Sequence, residues 1–196
     1  MTTVRIDTEK PYDVMIGSDL LERCGELISA VHFPCSAALV SDGTVAPLYA
    51  EKARQSLEKA GFSAAEFVFP AGEEQKNLAT FGELLSFMAA SALTRADIAV
   101  ALGGGVAGDL TGFAAACYER GIPFIQIPTT LLAMVDASVG GKTAVDLPEG
   151  KNLAGAFHQP AAVVGDPDVL RTLPPREFAQ GMAEAEIGRA SCRERV

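Results

Sequence analysis

DIAVALGGGVAGDLTGFAAACYERGIPFIQIPTTLLAMVDASVGGKTAVDLPEGKNLAGAFHQP, residues 97–160, decides how this chain is read. Ile98–Leu102 is a short, fully apolar run, the pattern of a strand buried on both faces of a parallel sheet, and Phe124–Ile127 reads as another strand. Each leads directly into a loop carrying glycine or threonine, and loops bearing aspartate and lysine follow. Backbone amides at such strand-to-helix junctions hold phosphate groups. Several loops of this kind close together are hard to attribute to packing, and the stretch reads as the core of a nucleotide-dependent enzyme.

Outward from this core, the spacing predicts strands at Val4–Ile6, Tyr12–Ile16, Ala37–Ser41, Glu66–Phe69, Lys142–Asp146 and Ala162–Gly165. Helical period runs through Leu20–Ala30, with Ser18 or Asp19 placed as its cap, and through Val45–Ala60, with Pro47 in its first turn. Further helices are expected up to Ser91, over Val106–Tyr118 and Thr130–Ser138, and from Pro174–Pro175 onward. Strands alternating with helices of this length imply an α/β fold with a doubly wound, mostly parallel, Rossmann-like sheet. Ligands bind beyond the carboxyl ends of such strands, where Asp42, Glu73, the Gly103 loop and the Pro128 loop fall. A domain boundary is expected near Asp166–Pro175, separating an α/β domain (1–170) from the start of a helical one (171–185).

Composition narrows the classes further. The chain has 196 residues and a net charge of −9, with no basic run, which argues against a nucleic-acid partner. Asp97, Asp109 and clustered glycines interrupt the longest apolar stretch, so no membrane span is expected. The N-terminus lacks the apolar stretch of a signal peptide, and a cytoplasmic location is expected. The four cysteines show no metal-ligand or redox spacing, and Cys24 and Cys117 read as buried free thiols.

Gly103–Asp109 matches G-x-G-x-x-G between a strand and a helix, so Gly104, Gly105 and Val106 would bring backbone amides to a pyrophosphate. The match alone is weak, and the acidic residue usual some twenty positions on is missing. A tight strand–helix turn explains it in isolation, and the neighbouring loops favour the ligand. Of Thr129 and Thr130, capping accounts for one hydroxyl and leaves the other for a ligand. Lys142 and Lys151 each follow a glycine, and with Asp136 they outline a phosphate or carboxylate pocket. Glu73 and Lys76 read equally as a helix-entry pair or as nucleotide contacts, and Asp42 as an Asx-turn residue or a ribose reader. His32 reads as structural and His158 as a neighbour of the lysine loops. No two histidines have metal-ligand spacing.

Taken together, PAGEEQK (70–76), LGGGVAGDLTGF (102–113), RGIPFIQIPTTLLAMVDASVGGKTAVD (120–146), GKNLAGAFHQP (150–160) and LPPREFAQGMAEA (173–185) resemble the 3-dehydroquinate synthase family. The resemblance covers most of residues 37–185. It implies an NAD-binding α/β domain, a helical second domain and an active site between them. The implied NAD contacts are Gly72, Glu73, Lys76, Gly105, Val106, Asp109, Thr129, Thr130, Lys142, Lys151, Leu170 and Thr172, which join Asp42 and Gly104 as read from their own positions. Asp136, Lys142 and Asn152 are implied at the substrate, the keto-acid phosphate DAHP. Arg120 is implied at the phosphate in a partner subunit of a homodimer. Glu184 matches the first ligand of a catalytic zinc, or cobalt in some members.

The chain departs from the family after Ala185. An apolar pair and a lysine are expected there, with two zinc-binding histidines further on, and the sequence instead reads EIGRASCRERV. That string is what a common sequencing adapter gives when translated in frame, so residues 186–196 are expected to be a non-native tail. The 196-residue chain is accordingly expected to hold NAD without turning over. Three other readings stay open: a related sugar-phosphate cyclase, a metal-dependent polyol dehydrogenase on the same fold, and a non-catalytic NAD-binding fragment.

Overall fold

The computed structural model describes residues 1–193, with side chains described through Gly188. Seven strands form one sheet in the order β1 (Thr2–Ile6), β2 (Tyr12–Ile16), β9 (Ala162–Gly165), β6 (Phe124–Pro128), β5 (Ile98–Gly103), β3 (Ser36–Asp42) and β4 (Ser63–Phe69). All neighbours pair in parallel except β1 with β2. The central strand β5 is buried along its whole length, as its unbroken apolar run requires in a sheet covered on both faces.

Alternation along β3 assigns the layers. Ala37 and Leu39 face a core shared with α1 (Cys24–Ser29) and α2 (Ala46–Lys59). Ala38 and Val40 face the opposite core, shared with α3 (Leu78–Ala90) and α4 (Gly105–Cys117). The sheet is therefore doubly wound. After β3 the chain goes to β4 on one side, then crosses to β5 on the other, which puts the topological switch point between β3 and β5. α4 lies close above this point because it presents glycine to the sheet. A Cβ on Gly108 would sit 2.5 Å from Gln126 Oε1, and one on Gly112 would sit 3.0 Å from Phe124 Cε2, both on β6.

Local departures from the sequence patterns have identifiable causes. Leu20–Ala30 splits into a 3₁₀ turn (Leu21–Arg23) followed by α1, and neither Ser18 nor Asp19 caps it. Asp166 does so from far along the chain, its Oδ2 accepting from the Leu21 amide at 3.0 Å. Thr130–Ser138 turns helical but opens into a π turn over Ala133–Ala137, where the Ser138 amide reaches back five residues to the Ala133 carbonyl at 3.0 Å. Gly150–Phe157 forms a strand, β8, paired antiparallel with β7 (Lys142–Leu147). Its glycines and its mostly exposed residues hide it from a hydropathy pattern. Cys24 is buried as expected, but Cys117 is exposed, because it falls on the last turn of α4 where the helix leaves the sheet. α5 (Pro175–Arg193) runs through the junction at Ala185 without a break. Residues 194–196 of the expected tail lie outside the described residues. No described helix is long and apolar enough to cross a membrane.

Candidate functional site

Strand ends converge at the switch point. β5 delivers Gly103 into α4, whose N-cap Gly104 is extended and offers no side chain to the first-turn amides. Those amides remain available to an anion. By contrast, Asn77 caps α3, with Oδ1 accepting from Ala79 at 2.8 Å and Thr80 at 3.0 Å. Gly104 is hemmed in, since a Cβ there would meet Thr130 Cγ2 at 3.1 Å. Gly105 is not, because its Cβ would make only ordinary contact with Ala137 at 3.6 Å. Nothing in the surrounding protein demands glycine at 105, so the space it leaves suits the close approach of a phosphate.

Across the crevice, Asp42 Oδ1 accepts from the Thr44 amide at 2.8 Å and the Val45 amide at 3.0 Å, an Asx turn that starts α2. Its Oδ2 lies near the Gly103 turn, 3.5 Å from where a Cβ on Gly103 would be. The two readings of Asp42 are therefore compatible, one oxygen serving each. Thr130 Oγ1 accepts from the Ala133 amide at 3.2 Å and is the capping hydroxyl. Thr129, only 4% exposed, carries an Oγ1 with no hydrogen-bond partner among the described residues. A buried hydroxyl left unpaired costs about 1–3 kcal/mol, so a ligand that pairs it would recover that cost. Together with the open Gly105 and the uncapped helix, this group fits a dinucleotide.

A second part of the site is built by contacts distant in sequence. Lys76 is 6% exposed, and its Nζ pairs with Asp109 Oδ2 on α4 and donates to Asn152 Oδ1 at 2.6 Å. Burial pushes the Asp109 carboxyl above its ordinary range. The Lys76 ammonium opposes that push, and the charges of Glu73 and Asp146 add to it. Lys151 Nζ meets Glu73 Oε1 at 2.9 Å on the surface beside Gly72, which takes the left-handed φ of +132°. A cleft of about 470 Å³ is lined by Asp109, Asp136, Lys142, Asn152, Leu153 and Phe157, among others. The structure thus brings Asp136, Lys142 and Asn152 to one cleft, together with Asp109.

Other candidates lie elsewhere. Leu170 and Thr172 sit in a 3₁₀ turn held by Tyr49, whose hydroxyl is 2.6 Å from Thr172 Oγ1 and donates to the Val169 carbonyl at 2.9 Å. Arg120 follows the far end of α4, a helix about 20 Å long, so it is not brought to this cleft. Its side chain is 79% exposed. Glu184 is half-buried on α5, one turn beyond Gly181, which packs tightly on Leu131 and Leu132. Among the described residues no three His, Cys, Asp or Glu side chains gather closely enough to hold a metal ion. Glu184 alone therefore does not constitute a zinc or cobalt site. His158 stacks on Phe124 and its Nε2 lies 2.9 Å from the Ile122 carbonyl, a structural role. Sequence patterns do not single out Tyr49 or Asp146, because each acts through a partner that only folding supplies.

Residues 66–180 match the family described as 3-dehydroquinate synthase N-terminal. The 3-dehydroquinate synthase of Symbiobacterium thermophilum is 53% identical over 178 residues, covering 90% of this chain and 49% of that protein. Among solved structures, 2-deoxy-scyllo-inosose synthase complexed with carbaglucose-6-phosphate, NAD+ and Co2+ matches with a TM-score of 0.87 at 33% identity, over 93% of this chain and 50% of that one. The 2-epi-5-epi-valiolone synthase of Streptomyces hygroscopicus subsp. jinggangensis, with NAD+ and Zn2+ bound, matches with a TM-score of 0.81 at 34% identity, over 92% and 50%. The chain spans about half the length of the curated relatives it matches.

Proposed function

Because this chain belongs to the 3-dehydroquinate synthase family, we propose that it forms the NAD-binding portion of a carbon–oxygen lyase converting DAHP to 3-dehydroquinate and phosphate. One observation carries the reading. The uncapped α4 N-terminus, the unpartnered Thr129 hydroxyl and the Lys76–Asp109–Asn152 group all lie around the carboxyl ends of the strands at one switch point.

When bound, NAD would supply a reversible hydride acceptor, the chemistry that would let a ring hydroxyl become a ketone for a time and so acidify the adjacent C–H for loss of phosphate. The work of this chain is to place the reactants and offset charge. Amides of Gly104, Gly105 and Val106 receive the pyrophosphate, Thr129 donates its hydroxyl, and the free oxygen of Asp42 accepts from a ribose hydroxyl. Glu73, Leu170 and Thr172 flank the cofactor. Lys142 and Lys151 offset phosphate charge, while Asp136 and Asn152 orient the substrate hydroxyls. Arg120, remote from this cleft, serves the phosphate of a partner copy in a homodimer. Residues 1–170 are the cofactor domain, and 171–185 open the helical domain to which Glu184 contributes one carboxylate.

A second reading, a related sugar-phosphate cyclase, is favoured by the match to 2-deoxy-scyllo-inosose synthase. Titrating the chain with NAD, then assaying phosphate release from DAHP with Zn2+ or Co2+, tests the proposal. NAD binding is expected, with phosphate release confined to the whole protein. Turnover of a hexose phosphate rather than DAHP would move the assignment to the second reading. Net NADH production from glycerol would overturn both.

A further inference from the structure

We propose that Asp146 is a positioning residue that sets the register between the Lys76 loop and Asn152, and so shapes the cleft without touching its contents. The β7–β8 ladder shifts register between Val145 and Leu147, leaving Asp146 at the irregularity. A residue at such a bulge has main-chain groups free to bond elsewhere. The Asp146 amide donates to the Lys76 carbonyl at 2.8 Å, and Asp146 forms an isolated parallel bridge with Asn77. Its carboxylate turns the other way along the hairpin, Oδ1 accepting from the Asn152 amide at 2.7 Å.

That second bond has a specific task. Asn152 holds a left-handed φ of +57°, a conformation that costs most side chains and that asparagine adopts more readily than most when a local hydrogen bond holds it. A charge-assisted bond to its amide does so. Asn152 Oδ1 then receives Lys76 Nζ at 2.6 Å, and Lys76 pairs with Asp109. Asp146 thus closes a ring of contacts, with its backbone on the loop that carries Lys76 and its side chain on the strand that carries Asn152. Neither β7 nor β8 belongs to the main sheet, so without Asp146 their placement against the 72–77 loop would rest on two side-chain contacts, the buried one of Lys76 with Asn152 and the exposed one of Lys151 with Glu73.

The test compares Asp146→Ala and Asp146→Asn with the parent 196-residue chain, by site-resolved amide hydrogen exchange and by NAD titration. Asp146→Ala is expected to speed exchange at Asn152 and at residue 146 by about tenfold or more, and to weaken NAD binding by a similar factor. Asp146→Asn keeps an acceptor oxygen and is expected to restore most of both. Faster exchange with unchanged NAD affinity would make Asp146 merely structural and overturn the proposal. So would unchanged exchange in Asp146→Ala, or an Asp146→Asn chain that folds yet leaves Asn152 unprotected. If Asp146→Ala does not fold, Asp146→Asn against the parent decides. The cofactor arm rests on the proposed function and the exchange arm does not. A parent chain that binds no NAD would overturn the proposed function, while exchange at Asn152 and residue 146 would still decide the role of Asp146.

Discussion

Replacing Lys76 by Met removes the only ammonium paired with Asp109 among the described contacts while keeping the length of the aliphatic stem. The two side chains are 7% and 17% exposed. The pair is thus far better shielded than surface pairs worth about 0–1 kcal/mol. Breaking a fully buried pair costs about 3–5 kcal/mol, and the residual exposure here brings the expectation to about 2–4 kcal/mol. For a domain of this size each kcal/mol moves Tm by about 2–4 °C, so a drop of roughly 5–15 °C is expected. The loss should depend on pH in a definite sense. Burial already holds the folded-state pKa of Asp109 above its ordinary value, and the variant loses the ammonium that opposed this. A carboxyl with a raised folded pKa favours the fold below its unfolded value and loses that contribution as pH rises through the folded one. The gap between variant and parent should therefore be small near pH 4 and widen toward pH 8. The double variant Lys76→Met/Asp109→Leu should recover most of the stability, since replacing both partners of a buried pair with apolar groups is often neutral, yet it should not recover NAD binding. Thermal unfolding of all three chains from pH 4 to pH 8 checks this. A Lys76→Met chain within about 0.5 kcal/mol of the parent, or a double variant no more stable than the single, would refute the reasoning.

Two further outcomes are expected. Thr129→Val replaces an unpartnered buried hydroxyl with a group of similar shape. It should stabilise the chain by about 1 kcal/mol while weakening NAD binding about tenfold. Equal losses in stability and binding would show that the hydroxyl serves the fold. Asp97 accepts from the Ser36 amide at 2.8 Å, the Thr94 amide at 2.6 Å and the Thr94 hydroxyl at 2.7 Å. Burial pushes its carboxyl up, but these hydrogen bonds outweigh that and hold it below its ordinary range. Its contribution is therefore present above the unfolded value and lost as pH falls through the folded one. Asp97→Ala should cost roughly 3 kcal/mol at pH 7 and less at pH 3, measured by denaturant unfolding.

The legible parts of the site were those carried by consecutive residues. Gly103–Asp109 announced a strand, a turn and a helix N-terminus, and the structure has β5 running into α4 there. Sequence divides Thr129 and Thr130 into a cap and a spare hydroxyl without saying which is which. Lys76 showed less, because nothing in PAGEEQK reveals a carboxylate thirty-three residues on. Its two readings separated only when α4 and β8 met it. Arg120 and Glu184 kept their motif positions, but Arg120 lies away from the cleft and among the described residues no metal cluster forms at Glu184.

By itself the sequence determined the alternation of strands and helices, the double winding and the end of the sheet at which a ligand would sit. Those follow from local hydrophobic period and from chain connectivity, both of which are written along the chain. Tertiary structure alone decided that β8 exists, that Asp166 caps the turn at Leu21, and that Asp146 ties Lys76 to Asn152. Each is a pairing of polar groups whose stabilisation appears only when folding brings them within about 3 Å in a partly desolvated place. Short-range pattern carries no record of that distance.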